Sequence, residues 1–80
     1  MKLPRDINGA RLAHALRRLG YEVTRQTGSH MRVTTQRNGE HHKVIPNANP
    51  IRVGTLHSIL KSVAAHHQMT VDQLLRELDL

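Results

Sequence analysis

The sequence predicts an α+β fold in the order αβββαα, a three-stranded antiparallel meander with its helices packed on one face. Apolar residues recur at helical spacing near the start of the chain, alternate with polar residues between residues 21 and 45, and return to helical spacing after residue 54. A sheet covered on one face leaves its other face to solvent or to ligands. We expect residues 1–80 to form one small domain.

The first helix is expected to begin after Asn8, a residue type that caps helices through its side-chain oxygen. Ile7 and Leu12 have the spacing of a hydrophobic staple across this start. Leucines then repeat at helical intervals up to Gly20, which is expected to end the helix because glycine readily adopts the left-handed conformation.

Two turn signals separate three predicted strands. Alternation begins at Tyr21 and Thr27–Gly28 is expected to break it, while Asn38–Gly39 is a strong hairpin signal that introduces a third strand over residues 41–45. In the strand between these turns, over residues 31–35, Met31 and Val33 are expected to face the core. His30 and Arg32 then share the opposite face, roughly 6.5 to 7 Å apart.

Two further helices are expected after the strands. Pro46 and Pro50 end the third strand, and the second helix begins near Gly54–Thr55, with Thr55 as its expected cap. A capping-box pattern over residues 70–73 opens a short third helix. Its leucines are expected to belong to the core, the alternative being contact with a partner or a second copy: Leu74, Leu75 and Leu78.

The composition points to a polyanionic partner. Twelve Lys and Arg residues against six Asp and Glu residues give a net charge of +6, and nine of the twelve are Arg, whose planar fork matches phosphate oxygens. Residues 1–40 carry a net charge of +5, so the anion-binding surface is expected in the first half of the chain. The absence of cysteine excludes disulfides, thiolate metal sites and a cysteine nucleophile.

No membrane segment is expected. No window approaches the roughly 18 to 20 apolar residues that cross a bilayer, and the first six residues lack the apolar segment of a signal peptide. The expected location is the cytoplasm.

Gly28–Ser29–His30 is the strongest candidate for chemistry, because a tight turn there presents an imidazole among cations. Imidazole has an unperturbed pKa of about 6.5 and exchanges protons near neutral pH. RNA carries its own nucleophile, the 2′-hydroxyl, so its cleavage needs a base, an acid and positive charge, but no metal or other cofactor. We expect His30 to be the base or acid, with Arg32 and Lys43 stabilising the transition state. The alternative is an ordinary surface histidine.

The remaining histidines are less informative. His41 and His42 are adjacent, as are His66 and His67, and such spacing does not converge on one metal ion, so no metal site is expected. We interpret both pairs as polar surface, with His42 or water as the substitute for a second catalytic imidazole. Tyr21, the only aromatic residue, is expected in the core, the alternative being a base-stacking role.

Several segments in this order resemble the HicA toxins, and the resemblance extends up to Leu60: Leu19–Gly20–Tyr21, Arg25 to His30, Ile45–Pro46, Gly54–Thr55–Leu56 and Ile59–Leu60. The resemblance implies a fold like a double-stranded RNA-binding domain, mRNA interferase activity and a HicB-type antitoxin. It also implies a catalytic histidine at His30, with Gly28 and Ser29 shaping the turn. Many members have a second histidine after the Ile-Pro strand exit, where this chain has Asn47–Ala48–Asn49.

The sequence therefore predicts a toxin of a toxin–antitoxin system that cleaves mRNA and is silenced by an acidic antitoxin over the His30 face, with any oligomer forming through that antitoxin. The alternatives are a non-catalytic double-stranded RNA-binding module and a basic protein-interaction module. The residues expected to bind RNA or to supply transition-state charge are Arg25, Arg32, Lys43, Arg17 and Arg18.

Overall fold

The computed structural model describes residues 3–80 and has the predicted order of elements. Met1 and Lys2, which begin the segment considered above for a signal peptide, lie outside the described residues. Within residues 3–80 no helix has the length and apolarity needed to cross a membrane. The elements are α1 (Gly9–Leu16), followed by a 3₁₀ turn (Arg17–Leu19), β1 (Glu22–Gln26), β2 (His30–Thr35), β3 (His41–Pro46), α2 (Val53–His66) and α3 (Val71–Glu77).

The three strands form the expected antiparallel meander, with β2 in the centre. Met31 lies opposite Ile45, and both are buried against the helices, whereas His30 lies opposite Pro46 on the other side of the sheet. We call this second side the open face. It carries the outward residues of the three strands: Glu22, Thr24, Arg25, His30, Arg32, Thr34, His42, Val44 and Pro46.

The core lies between the sheet and the helices and is almost entirely aliphatic. Buried leucines of α1 and α2 pack with Met31 and Val33 of β2, which confirms the predicted inward face of that strand. The α3 leucines Leu74, Leu75 and Leu78 are also buried, so they belong to the core as expected. Because these leucines are buried inside the protein, they offer no apolar surface for contact with a partner.

Local capping signals fix most element ends. The Asn8 side chain accepts a hydrogen bond from the Arg11 backbone N–H at 2.8 Å, and Thr70 forms the complete capping box with Gln73. Asn38 and Gly39 both have positive φ, as the hairpin turn requires.

The start of α2 differs from the prediction. The helix begins at Val53 after Arg52, and Thr55 lies inside the first turn rather than at the cap. The chain is held extended up to this point because the Ile51 backbone N–H donates to the Ile7 carbonyl at 2.8 Å. Helical bonding then starts at once, with the Leu56 N–H donating to the Arg52 carbonyl at 2.9 Å.

The interpretation of the paired histidines as polar surface is wrong for three of the four. Tyr21 is in the core, as predicted, with 0% exposure, and its hydroxyl lies 2.7 Å from His41 Nδ1 and 3.2 Å from His67 Nε2. His67 is only 8% exposed, and the His66 ring stacks on the His41 ring with centroids 4.4 Å apart. A buried phenol needs hydrogen-bond partners, and these imidazoles supply them. We call Tyr21, His41, His66 and His67 the histidine cluster.

The hydrogen bonds of this cluster run in one direction when its imidazoles are neutral. The Asn38 amide donates to His67 Nδ1 at 3.2 Å, and His67 Nε2–H donates to the Tyr21 oxygen. The phenol then donates to His41 Nδ1, and His41 Nε2–H donates to Ser62 Oγ at 3.3 Å. A proton added to Nδ1 of His41 or of His67 would point at another donor, so protonation of either ring disrupts this series of hydrogen bonds.

This geometry predicts a stability that depends on pH. Burial lowers the pKa of His41 and of His67, and the neighbouring positive charge of His66 lowers both pKa values further. Because the unfolded chain binds these protons more readily, stability is complete above the unfolded pKa of about 6.5 and is lost as the pH falls below it. We expect the urea midpoint to be level between pH 8 and 7 and to drop towards pH 5.

The variant His67→Gln should flatten this drop, whereas His14→Gln, which changes an exposed histidine of α1, should leave it unchanged. Equal pH dependence in wild type and His67→Gln would contradict the assignment of the drop to the cluster.

Candidate active site

His30 stands at the tip of the β1–β2 hairpin, as the sequence predicts. The turn is closed by the Thr27 backbone N–H donating to the His30 carbonyl at 2.9 Å and by the His30 N–H donating to Thr27 Oγ1 at 3.1 Å. The Ser29 hydroxyl lies 2.9 Å from His30 Nδ1, which orients the ring. No group in residues 3–80 is hydrogen-bonded to Nε2, and the side chain is exposed. That nitrogen can therefore reach an external ligand.

The turn is tied to the segment that follows β3. The Asn47 backbone N–H donates to the Ser29 carbonyl at 2.8 Å, and its amide side chain donates to the Gly28 carbonyl at 3.4 Å. On its other side this segment meets the start of α1, where the Gly9 N–H donates to the Ala48 carbonyl at 2.9 Å. The hairpin tip, the loop and α1 are thus held together by backbone bonds.

An open groove of about 440 Å³ lies beside His30, between β3 and the start of α2. Arg52 and Thr55 line it from the helix side, and they were not among the predicted site residues. Only the extended segment after Pro46, which returns past the hairpin tip, brings them to His30, and no local motif signals that path. The groove is lined by His30, Val44, Pro46, Ala48, Arg52 and Thr55.

Two predicted cations accompany His30 on the open face. Arg25 of β1 and Arg32 of β2 lie directly opposite each other, and both are exposed. Like charges in this cross-strand position destabilise a sheet when nothing lies between them. Their pairing is therefore typical of a surface that receives an anion.

Three other predicted cations lie elsewhere. Lys43 pairs with Val33, which puts it on the helix side of β3, where it lines a second groove beside α2. Arg17 and Arg18 line a third groove between α1 and α3, and Arg18 Nη1 donates to the Glu77 carbonyl at 3.3 Å. None of these three side chains lines the His30 groove.

His42, the predicted substitute for a second imidazole, shares the open face with His30 but is separated from it along the strands. It lies opposite Thr34, four residues from His30 on β2, which is about 13 Å at the usual strand rise. Thr34 Oγ1 is 2.8 Å from its Nδ1, and Glu40 is 2.8 Å from its Nε2. A hydrogen bond from the Gln36 amide lowers the pKa of Glu40, and His42 lowers it further, so this carboxylate stays ionised.

Within the described part of the chain, that His42–Glu40 contact is the one place where a carboxylate oxygen lies within 4.0 Å of a basic side-chain nitrogen. No arginine or lysine from residue 3 onwards has a carboxylate within 4.0 Å. The positive charge is consequently not neutralised internally and acts on external anions. Over the same residues, no three side chains of His, Asp or Glu are grouped so that they could hold a metal ion.

The backbone at Gly28 does not itself demand glycine. Its φ is not positive, and a Cβ added there would meet nothing within 4 Å. The open space in front of the turn leaves room for a ligand to approach the backbone closely.

The fold and the site together define a class, small α+β domains that present an exposed histidine on a basic sheet face. The family model described as HicA toxin of bacterial toxin-antitoxin matches residues 9–64, well over half of the chain. The chain belongs to the HicA toxin family, whose members are toxins of toxin–antitoxin systems. No curated protein and no solved structure matches it.

The contact between α1 and the groove loop generates a stability prediction. A methyl group at Gly9 would collide with the Pro46 carbonyl oxygen, which is backbone and cannot turn away. Gly9→Ala should therefore cost about 1–3 kcal/mol, seen as a lower urea midpoint by circular dichroism. Gly28→Ala is the matched control and should be neutral or stabilising by about 0.4–1 kcal/mol. Equal midpoints for the two variants would refute the close approach at Gly9.

Proposed function

We propose that this HicA-family protein is an endoribonuclease that cleaves mRNA by acid–base catalysis at His30 without a metal ion. The observation that carries the proposal is the exposed His30 ring, whose Nδ1 is held by Ser29 while Nε2 is open to solvent. Membership of a toxin family supports RNA as the target.

In the proposed reaction, neutral His30 accepts the proton of a 2′-hydroxyl through Nε2. The 2′-oxygen then attacks the adjacent phosphorus, and the bond to the 5′-oxygen breaks as that oxygen gains a proton. The products are a 2′,3′-cyclic phosphate and a free 5′-hydroxyl. DNA lacks the 2′-hydroxyl and is not a substrate for this chemistry.

Ser29 is a positioning residue in this scheme. Its hydroxyl on Nδ1 holds the plane of the ring and leaves Nε2 as the nitrogen that exchanges protons. In the same scheme Arg32, two residues along the same strand face, stabilises the charge that develops on the phosphorane. Arg25 opposite it extends this charge along the RNA backbone.

Water is the proposed source of the proton for the leaving oxygen, and the hydroxide so formed takes the proton from His30 and restores the neutral ring. Two groups that act on one phosphate must both come within hydrogen-bond reach of it. A separation of about 13 Å along the strands places His42 beyond that reach, and both of its ring nitrogens already have partners.

Regulation follows from the family. A HicB-type antitoxin accompanies toxins of this family. We propose that it is acidic at its contact surface and covers the open face around His30, because the arginines there have no carboxylate within 4.0 Å among residues 3–80. Blocking the Nε2 side of His30 would stop cleavage without unfolding the toxin.

The test is cleavage of labelled RNA by the purified protein in the presence of a chelator. His30→Ala should lower the rate by about 10²-fold or more, because it removes the proton acceptor, while RNA affinity stays within a few-fold. His57→Ala changes a half-buried histidine of α2 that lines none of the grooves described above, and it should cleave as wild type does.

Cleavage by His30→Ala at the wild-type rate would refute the catalytic assignment. Cleavage that stops on adding chelator would refute the metal-independent mechanism. Salt-sensitive binding of duplex RNA by the wild type, with no cleavage, would instead support a non-catalytic RNA-binding module.

A further inference from the structure

The groove beside His30 has a chemical character that the proposed reaction does not use. One wall carries a cation, Arg52, and a hydroxyl, Thr55, while its strand side is apolar, with Val44 and Pro46. Its volume of about 440 Å³ is in the range of small-molecule sites. The groove adjoins the reacting nitrogen, so whatever lies in it is a neighbour of the scissile bond.

Val44 is an exposed apolar residue of the open face. It is 52% exposed, more than the other two exposed large hydrophobic residues, Val23 and Val53. It lies opposite Arg32 and diagonal to His30, a spacing of about 7–8 Å that a flat ring can bridge. Leaving this apolar surface in water costs free energy that a ligand contact would recover.

Arg52 is an available cation. It forms no side-chain cap on α2 and has no carboxylate within 4.0 Å among residues 3–80. A guanidinium in this position can bind a phosphate with two parallel hydrogen bonds. It lines the groove beside His30 at the start of α2, whereas the Arg25–Arg32 pair lies on β1 and β2.

We propose that this groove binds the nucleotide next to the scissile phosphate, its base packing on Val44 and Pro46 and its outer phosphate held by Arg52. The inference rests on the proposed RNA cleavage and adds a substrate-positioning subsite to it. The three parts of a nucleotide match three parts of the groove. The phosphate matches Arg52, the flat face of the base matches the apolar wall, and a ribose hydroxyl matches the Thr55 hydroxyl.

The experiment measures kcat and KM with an RNA oligonucleotide whose cleavage site has been mapped. Arg52→Gln should lower kcat/KM at least about tenfold, because a charge-assisted contact to phosphate is lost. Arg76→Gln removes the same charge from an exposed position on α3 and should stay within twofold of wild type. Arg52→Lys should recover part of the loss, since the point charge remains.

The apolar wall is tested by Val44→Thr, which keeps the branched shape of the side chain and replaces one methyl group with a hydroxyl group. KM should rise about fourfold on intact RNA. The same measurement uses two further RNAs, each of which lacks the base of one of the two nucleotides that flank the cleavage site. On the RNA that lacks the base in the groove, Val44→Thr should not raise KM. Val23→Thr, on an exposed valine whose strand partner is buried Val33, should have no effect on either RNA.

Equal kinetics for Arg52→Gln and Arg76→Gln, or a Val44→Thr effect that persists on both abasic RNAs, would overturn the subsite while leaving cleavage by His30 intact. Variants that only weaken binding of the antitoxin, with normal RNA kinetics, would identify the groove as an antitoxin surface and also overturn it. Failure of the proposed function itself is distinct, because it shows either as cleavage by His30→Ala at the wild-type rate or as no cleavage by the wild type.

Discussion

The central strand β2 can bury only one of its two faces, and the positions of His30 and Arg32 follow from that constraint. Met31, Val33 and Thr35 face the helices and are buried. His30 and Arg32 must then point to the open face. A slip of one residue would put an imidazole and a guanidinium into the aliphatic core and the core residues into water. The hydrophobic pattern of β2 therefore sets both the fold and the place of the site.

The loop between β3 and α2 converts this face into a groove. Backbone hydrogen bonds join it to the hairpin tip through Asn47 and to the start of α1 through Gly9. Neither contact depends on a side chain that faces solvent, so the open face can change in charge or size without loosening the loop. Residues of β2, β3 and α2 that are far apart in the chain thereby line one groove.

Histidines serve three different physical roles in this molecule. His30 keeps one nitrogen open to solvent, which suits proton transfer to a ligand. His42 is occupied by Thr34 and Glu40 on the same face. The histidine cluster satisfies the buried Tyr21 hydroxyl, and burial lowers the pKa of His41 and His67 so that neutral rings complete the chain of hydrogen bonds. Counting histidines therefore says little, and the partner of each ring nitrogen decides its role.

By itself the sequence determined the elements whose causes are local: the Asn8 cap, the Asn38–Gly39 turn, the Thr70 capping box and the inward alternation of β2. The turn residues around His30 were predictable for the same reason, since their bonds span three residues. Only the tertiary structure decided the histidine cluster, whose contacts join residues 20 and 46 positions apart, and the meeting of Arg52 with His30. Such contacts depend on how the helices and the loop pack on the sheet, and the secondary-structure propensities and residue spacings of the sequence do not predict that packing.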